Sequence, residues 1–408
     1  MKLAEFLIQG KQLRQQDRTL AIAYFEQCLQ SIAINEKSEV DSSNSVRILL
    51  ELAVELIATK QPESIQRATS LIQQAGKLFD QSFDQSSDFL QEQLAYLLYA
   101  QGILEITSGE MEAALATFQN AYNIYENTGN AEGQSLIDDV IGQYYLQVHN
   151  PPSALAHFER SLSLRLESEA DSEIGLSYAY LGQLYLTTAE IEQANSLFQS
   201  TLEIAIANSD NYLRLQALKG LAKVAIAEGQ WQTAIAMIKD AICLLKEPVD
   251  TIEIGYLYCD LAEALLGNGQ IEESLICIRI QVLPRFRDLQ YSQGIAIAKH
   301  IRGRIYVQRL LEGLDTLDED AIETAEDSLI DASILFEQVG MMTQYARSLY
   351  DLARLYQLCS NSQYQYQYQG KSLRSLELCL SILDHLAMGN SELASKVETM
   401  LNQVMRKN

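Results

Sequence analysis

Basic residues are scarce in this chain: 30 Lys and Arg stand against 54 Asp and Glu, a net charge of -24 at pH 7. So acidic a surface repels a phosphate backbone, which argues against nucleic acid as a general partner. It also disfavours anionic membrane surfaces. Proline occurs five times in 408 residues. Pro62, Pro151 and Pro152 stand where helices are expected to begin, Pro248 in a turn, and Pro284 near an expected helix end. None is therefore expected inside a helix, where it would cost about 3 kcal/mol. The six cysteines include no C-x-x-C pair and do not suggest a disulfide framework. No run approaches the ~20 apolar residues of a membrane span. Residues 1–10 contain Glu5 and Gln9 and do not resemble a signal peptide. The expectation is a cytoplasmic chain without membrane insertion.

What the chain has instead is repetition. Gly102, Gly142, Gly182, Ala222 and Ala262 are each 40 residues apart. Twelve residues after each stands another small one: Ala114, Ala154, Ala194, Ala234 and Ser274. Four further on comes a large apolar one: Phe118, Phe158, Phe198, Ile238 and Ile278. Each period opens with apolar residues at helical spacing, such as Leu136, Val140, Ile141, Tyr144 and Tyr145. A break follows at Gly109, Gly229 and Gly269, one column where a left-handed helix end favours a residue without Cβ. A second helix then begins. The small residues mark a close helix crossing and the Phe or Ile fills it. One such hairpin cannot bury its own apolar face, so neighbours must stack.

This pattern resembles the tetratricopeptide repeat. Ala121 and Ala241, three after the large apolar residue, fit it, and so does the aromatic column Tyr145, Tyr185, Tyr306 and Tyr356. The period departs from the common 34 residues, implying about one and a half extra helical turns per hairpin. The usual Trp is absent, and the only Trp, Trp231, opens a second helix. Long repeats of this kind are similar to those of kinesin light chain and bacterial peptide-pheromone receptors. The resemblance implies an all-α, right-handed α-solenoid of stacked antiparallel helix hairpins.

Three regions are expected. Residues 1–90 form divergent N-terminal hairpins, with polar NEKSEVDSSN at 35–44 as a loop and 80–89 as a linker. Residues 91–390 form the repeat array, in which the columns return ten residues late at Ala325 and seven late at Ser372. Insertions are therefore expected near 310–320, which is acidic, and near 360–370, where QYQYQYQ suggests a solvated loop. Residues 391–408 read as a capping helix, with Ser391 before Leu393, Val397, Leu401 and Val404.

No catalytic constellation emerges. The four histidines, His149, His157, His300 and His385, lack an i,i+4 ligand partner, so no metal is expected. No phosphate loop, dinucleotide fingerprint or nucleophile elbow occurs, so neither enzymatic activity nor a cofactor is expected. The adjacent acids Asp138 and Asp139 point about 100° apart on a helix and are expected to be solvated.

The resemblance implies a partner groove read from two first-helix positions, three before and one after the small residue. The first column contains Tyr99, Asp139, Ala179, Lys219, Cys259, His300 and Tyr350, and the second Ile103, Gln143, Gln183, Lys223, Glu263, Arg304 and Arg354. A third, three residues earlier, adds Tyr96, Tyr256 and Arg347. The candidate partner-binding residues are thus Tyr96, Tyr99, Lys219, Lys223, Tyr256, Glu263, His300, Arg304, Arg347, Tyr350 and Arg354. Residues 279–309 carry seven Lys or Arg and one acid, whereas 310–346 carry ten acids and no base. The later groove is expected to be basic and open, taking an acidic or carboxylate-ended peptide, with the acidic insertion competing for it. Two readings stay open: a scaffold or adaptor for a protein or peptide, and a ligand-responsive regulator like the peptide-pheromone receptors.

Overall fold

The computed structural model describes residues 3–35, 39–80, 87–168, 171–247, 249, 251–316, 319–360, 365–386, 388–389 and 391–406. Every regular element among them is helical. The chain divides into two compact units, residues 1–253 and 254–408.

In the first unit α1 (Leu3–Gln16) and α2 (Arg18–Asn35) pair first, then α3 (Glu39–Ala58) with α4 (Pro62–Asp80). The regular hairpins follow: α5 (Asp88–Thr107) with α6 (Met111–Thr128), α7 (Ala131–Gln147) with α8 (Pro151–Glu167), α9 (Asp171–Thr187) with α10 (Ile191–Ala207), and α11 (Asn211–Ala227) with α12 (Trp231–Cys243). Helix α13 (Thr251–Gly267) leads into the second unit. There a helical run consists of α14 (Ile271–Ile276), a π-helical segment (Cys277–Val282) and α15 (Leu283–Asp288). Two further hairpins pair α16 (Ser292–Leu311) with α17 (Glu319–Gln338), and α18 (Met342–Cys359) with α19 (Gln365–His385). Helix α20 (Glu392–Arg406) closes the array.

The hairpin turns are short because the first helix ends in a left-handed residue. Gly109, Gly229 and Gly269 have φ of 83°, 72° and 75°, and His149 and Ala189 hold the same position at 57° and 64°. The next N–H then reaches back across the helix end, as Glu110 to Glu105 O at 2.9 Å, Asn150 to Tyr145 O at 2.8 Å and Gln230 to Ala225 O at 2.7 Å.

The small and large columns interlock as the spacing requires. A Cβ added at Gly102 would lie 2.5 Å from Phe118, and one at Gly142 would lie 2.5 Å from Phe158. Phe198 lies between Gly182 of its own hairpin (2.9 Å) and Gly220 of the next (2.2 Å), so one ring joins two repeats. Burying each such ring is worth about 1.5–3 kcal/mol. Where the second helix carries Ser274, its hydroxyl donates to Ala262 O at 2.6 Å. The fold is thus a stack of paired helices in the tetratricopeptide manner.

Several local expectations need correction. The polar stretch at 35–44 is not wholly loop, since α3 begins at Glu39. QYQYQYQ is not a solvated loop: α19 begins at Gln365, and Tyr368 is buried with its ring stacked 5.8 Å from Tyr356. The 310–320 insertion partly lengthens helices, making α16 and α17 20 residues each against 17 for α7 and α9.

Pro284 does not mark a helix end. It lies inside a helical run, and that run takes the wider π form just before it, with the Leu283 N–H donating to Ile278 O. The wide turn absorbs the donor that proline lacks and shifts the register by one residue. Ile278, Val282 and Phe286 thereby all remain buried. The linker at 80–89 and Pro248 fall largely or wholly outside the described residues.

Candidate functional site

The candidate residues divide between the units, with Tyr96, Tyr99, Lys219 and Lys223 in the first and the rest in the second. In the second unit, α16 and α18 bring three of them around an acid that the columns omit. Asp351, one residue after Tyr350, is buried. His300 Nε2 lies 2.9 Å from its Oδ2, Arg354 Nη1 donates to its Oδ1 at 3.2 Å, and Arg304 Nε lies 3.9 Å away. Arg304 also pairs with Glu263 of α13. Burial pushes the Asp351 carboxyl up, but the His300 hydrogen bond and the charges of His300, Arg304 and Arg354 outweigh it, so its pKa lies below the ordinary value. Burial likewise opposes the Arg304 charge, and Glu263 and Asp351 overcome it, raising its pKa.

This arrangement corrects the picture of an open basic groove. His300 is buried against Asp351 and edge-on to Phe336, so it supports the arginines and does not line a surface. Tyr256 is half-buried, its hydroxyl 2.9 Å from that of Tyr291 and its ring edge-on to Phe286. The side chains of Arg304 and Arg354 keep 34% and 39% of their surface in solvent. Arg347 is exposed, and Tyr350 is half-buried on the same helix. Residues 347, 350 and 354 share one face of α18, being three and seven apart. Tyr350 also lines an open recess of about 240 Å³ with Ser395, Lys396, Thr399, Met400 and Gln403 of α20. The acidic insertion does not reach these arginines through Asp315, which binds Arg309 at 2.7 and 2.8 Å. Glu319 and Asp320 occupy the first turn of α17, where they complement its dipole. Asp318 lies outside the described residues.

In the first unit two of the candidate residues are shut away from solvent. Tyr96 and Tyr99 are buried, with the Arg47 guanidinium 3.4 Å from the Tyr96 ring centre. Lys219 pairs with Glu253 and Lys223 is half-buried. Burial raises the Glu253 pKa, but Lys219, Lys60 and Arg18 prevail and bring it down to about 2.

Asp138 and Asp139 are not solvated; both are buried. Asp138 accepts from Arg160 at 2.8 and 2.5 Å and lies 2.8 Å from His157 Nδ1. Asp139 accepts from Arg165 at 2.5 Å and from the Ser161 hydroxyl at 2.7 Å. The 100° between neighbours on a helix points each acid at a different partner on α8. Burial is the largest influence on Asp139 and lifts its pKa above the ordinary carboxylate value.

No family model matches the chain, and no curated protein matches it either. Solved structures do. A Rap protein complexed with competence and sporulation factor aligns over 94% of this chain and 98% of its own, with 12% identity and a TM-score of 0.59. The fold is a tetratricopeptide-like repeat array. The apo quorum sensor NprR from B. thuringiensis shares this array over 92% of this chain and 97% of its own, with 14% identity and a TM-score of 0.55. The Rap conjugation gene regulator of plasmid pLS20, solved with the Phr* peptide, covers 84% and 97%, with 12% identity and a TM-score of 0.55. Within the tetratricopeptide-like frame, the candidate residues lie on α5, α11, α13, α16 and α18, each the first helix of its repeat.

Proposed function

We propose that this chain is a non-enzymatic interaction protein that holds a peptide or extended partner segment on the α16–α18 face of its second unit. The observation that carries the reading is the half-exposed pair Arg304 and Arg354. Both are oriented by the buried Asp351, with the exposed Arg347 and the ring of Tyr350 beside them. A carboxylate oriented behind two arginines fixes their forks and leaves their outer N–H groups for a second acceptor. The segment bound there is acidic or ends in a carboxylate, and Tyr350 covers its apolar carbons. The buried His300 and the half-buried His157 are each engaged by a carboxylate with an arginine nearby, which supports a structural role over a catalytic one.

Arg347→Glu is the direct test, because this side chain is exposed and its change leaves the Asp351 cluster intact. The substitution should weaken capture of the partner about tenfold, or about 1.4 kcal/mol, with the helix content unchanged. Full capture by the Arg347→Glu chain at low salt would remove the α18 face from consideration. Arg304→Glu with Arg354→Glu is a poorer test, since it would surround buried Asp351 with like charge and destabilise the unit.

A second reading is a peptide-responsive regulator. It is favoured by the similar structures, one solved with competence and sporulation factor and another with the Phr* peptide. In this reading the bound segment changes the packing of successive hairpins, and capture would recover a small peptide rather than a protein.

A further inference from the structure

Helix α1 is held differently from every helix that follows it in the first unit. Gly10 is its only buried residue among those described, while Leu3, Phe6 and Leu13 are partly buried and Ile8 is exposed. Its partner α2, by contrast, buries Ala21, Phe25 and Cys28. What α1 contributes is charge. Lys11 bridges Glu132 of α7, at 3.3 Å, and Glu173 of α9. Arg14 bridges Glu51, at 2.8 Å, and Glu55 of α3. Asn211 at the start of α11 donates to Gln16 O at 3.2 Å. One short helix thus ties together four first helices of the unit, α3, α7, α9 and α11.

The surface beneath places four acids, Glu51, Glu55, Glu132 and Glu173, against α1. Glu51 and Glu55 are buried, at 7% and 3% exposure, so removing α1 would take from them the charges of Arg14. Arg47 would remain near Glu51, and Arg18 lies 3.6 Å from Glu55. A buried carboxylate that loses a charge partner is costly, so a further cation on this face stabilises it. Little apolar area ties α1 itself down, and segments with few buried apolar contacts are the ones that open at low cost.

We propose that the acidic inner face of the first unit is a binding site for a cationic helical segment, and that α1 occupies it as a built-in, displaceable ligand. The competing partner carries two basic residues three apart, as Lys11 and Arg14 are. This site is separate from the α18 face and does not depend on it.

The test uses the full chain and a synthetic peptide of residues 1–18. Lys11→Glu with Arg14→Glu should release α1, seen as faster hydrogen exchange in α1 and in the first turns of α7 and α9. The released chain should bind the peptide at least about tenfold more tightly than the wild type, whose own helix competes. The same peptide carrying Lys11→Glu and Arg14→Glu should bind neither chain. Gly10→Leu gives the same release without a charge change, because a side chain there meets the Phe25 ring at 2.3 Å. Equal peptide binding by wild type and both variants would overturn the proposal, and so would absence of binding by both variants. Arg347→Glu should leave this peptide binding unchanged, which separates its outcome from that of the partner-capture test.

Discussion

Ala189 has a φ of 64° at the hairpin position where Gly109, Gly229 and Gly269 stand in other repeats. A side chain in the left-handed region costs roughly 1–2 kcal/mol per residue. Ala189→Gly should therefore stabilise the chain by about 0.5–1 kcal/mol once the added freedom of the unfolded chain is subtracted. A urea midpoint that stays put or falls would mean that the turn is not strained. Glu253 gives a residue-scale test in pH. Its folded pKa, about 2, lies below the ordinary 4.5, so its ion pairs add stability that is present in full above pH 4.5. That contribution is lost as pH falls through 4.5 toward about 2. Unfolding free energies of wild type and Glu253→Gln should differ most near neutrality and converge in acid. A gap that widens in acid would contradict the assignment. Residues of this kind were hardly legible in the sequence. Lys219 and Glu253 are 34 apart, Arg304 and Glu263 are 41 apart, and His300 and Asp351 are 51 apart. No single offset links these pairs, so Glu263, which stands in a column with Arg304, could be read, while Glu253 and Asp351, which stand outside the columns, stayed hidden.

At the scale of the element, the interlock of glycine and phenylalanine carries the stacking. Gly142→Leu should force Phe158 from its place and cost on the order of 1–3 kcal/mol. Gly76 provides a control, because a Cβ there meets nothing within 4 Å in the middle of α4. Gly76→Ala should gain about 0.5–1 kcal/mol from helix propensity. If both substitutions were neutral in denaturant melts, the register argued from the 40-residue columns would be wrong. This layer was the most legible, because helix crossings are local and recur at one spacing. Legibility failed where local chemistry was ambiguous. A glutamine- and tyrosine-rich run reads as low complexity, yet Tyr368 finds Tyr356 and Lys371 and is buried in a helix. Pro284 reads as a stop, yet the π turn before it carries the helix on to Asp288.

At the scale of the molecule, the acidic balance of the chain shapes the two faces described above. Bases are few, and most candidate bases are paired with acids, so the chain does not present a uniform cationic groove to a partner. It presents arginines already oriented by acids on the α16–α18 face, and an acidic inner face covered by its own helix in the first unit. Of the candidate positions, His300, Arg304 and Arg354 gather around Asp351, while Tyr96, Tyr99 and Tyr256 serve packing. The central claim is that a partner segment is held on the α16–α18 face. Hydrogen exchange on the full chain, alone and with its captured partner, tests this most directly. The expected result is slowed exchange confined to α16, α18 and the adjoining part of α20, and lost in the Arg347→Glu chain. Protection centred on α17 and α19, or unchanged by that substitution, would contradict it.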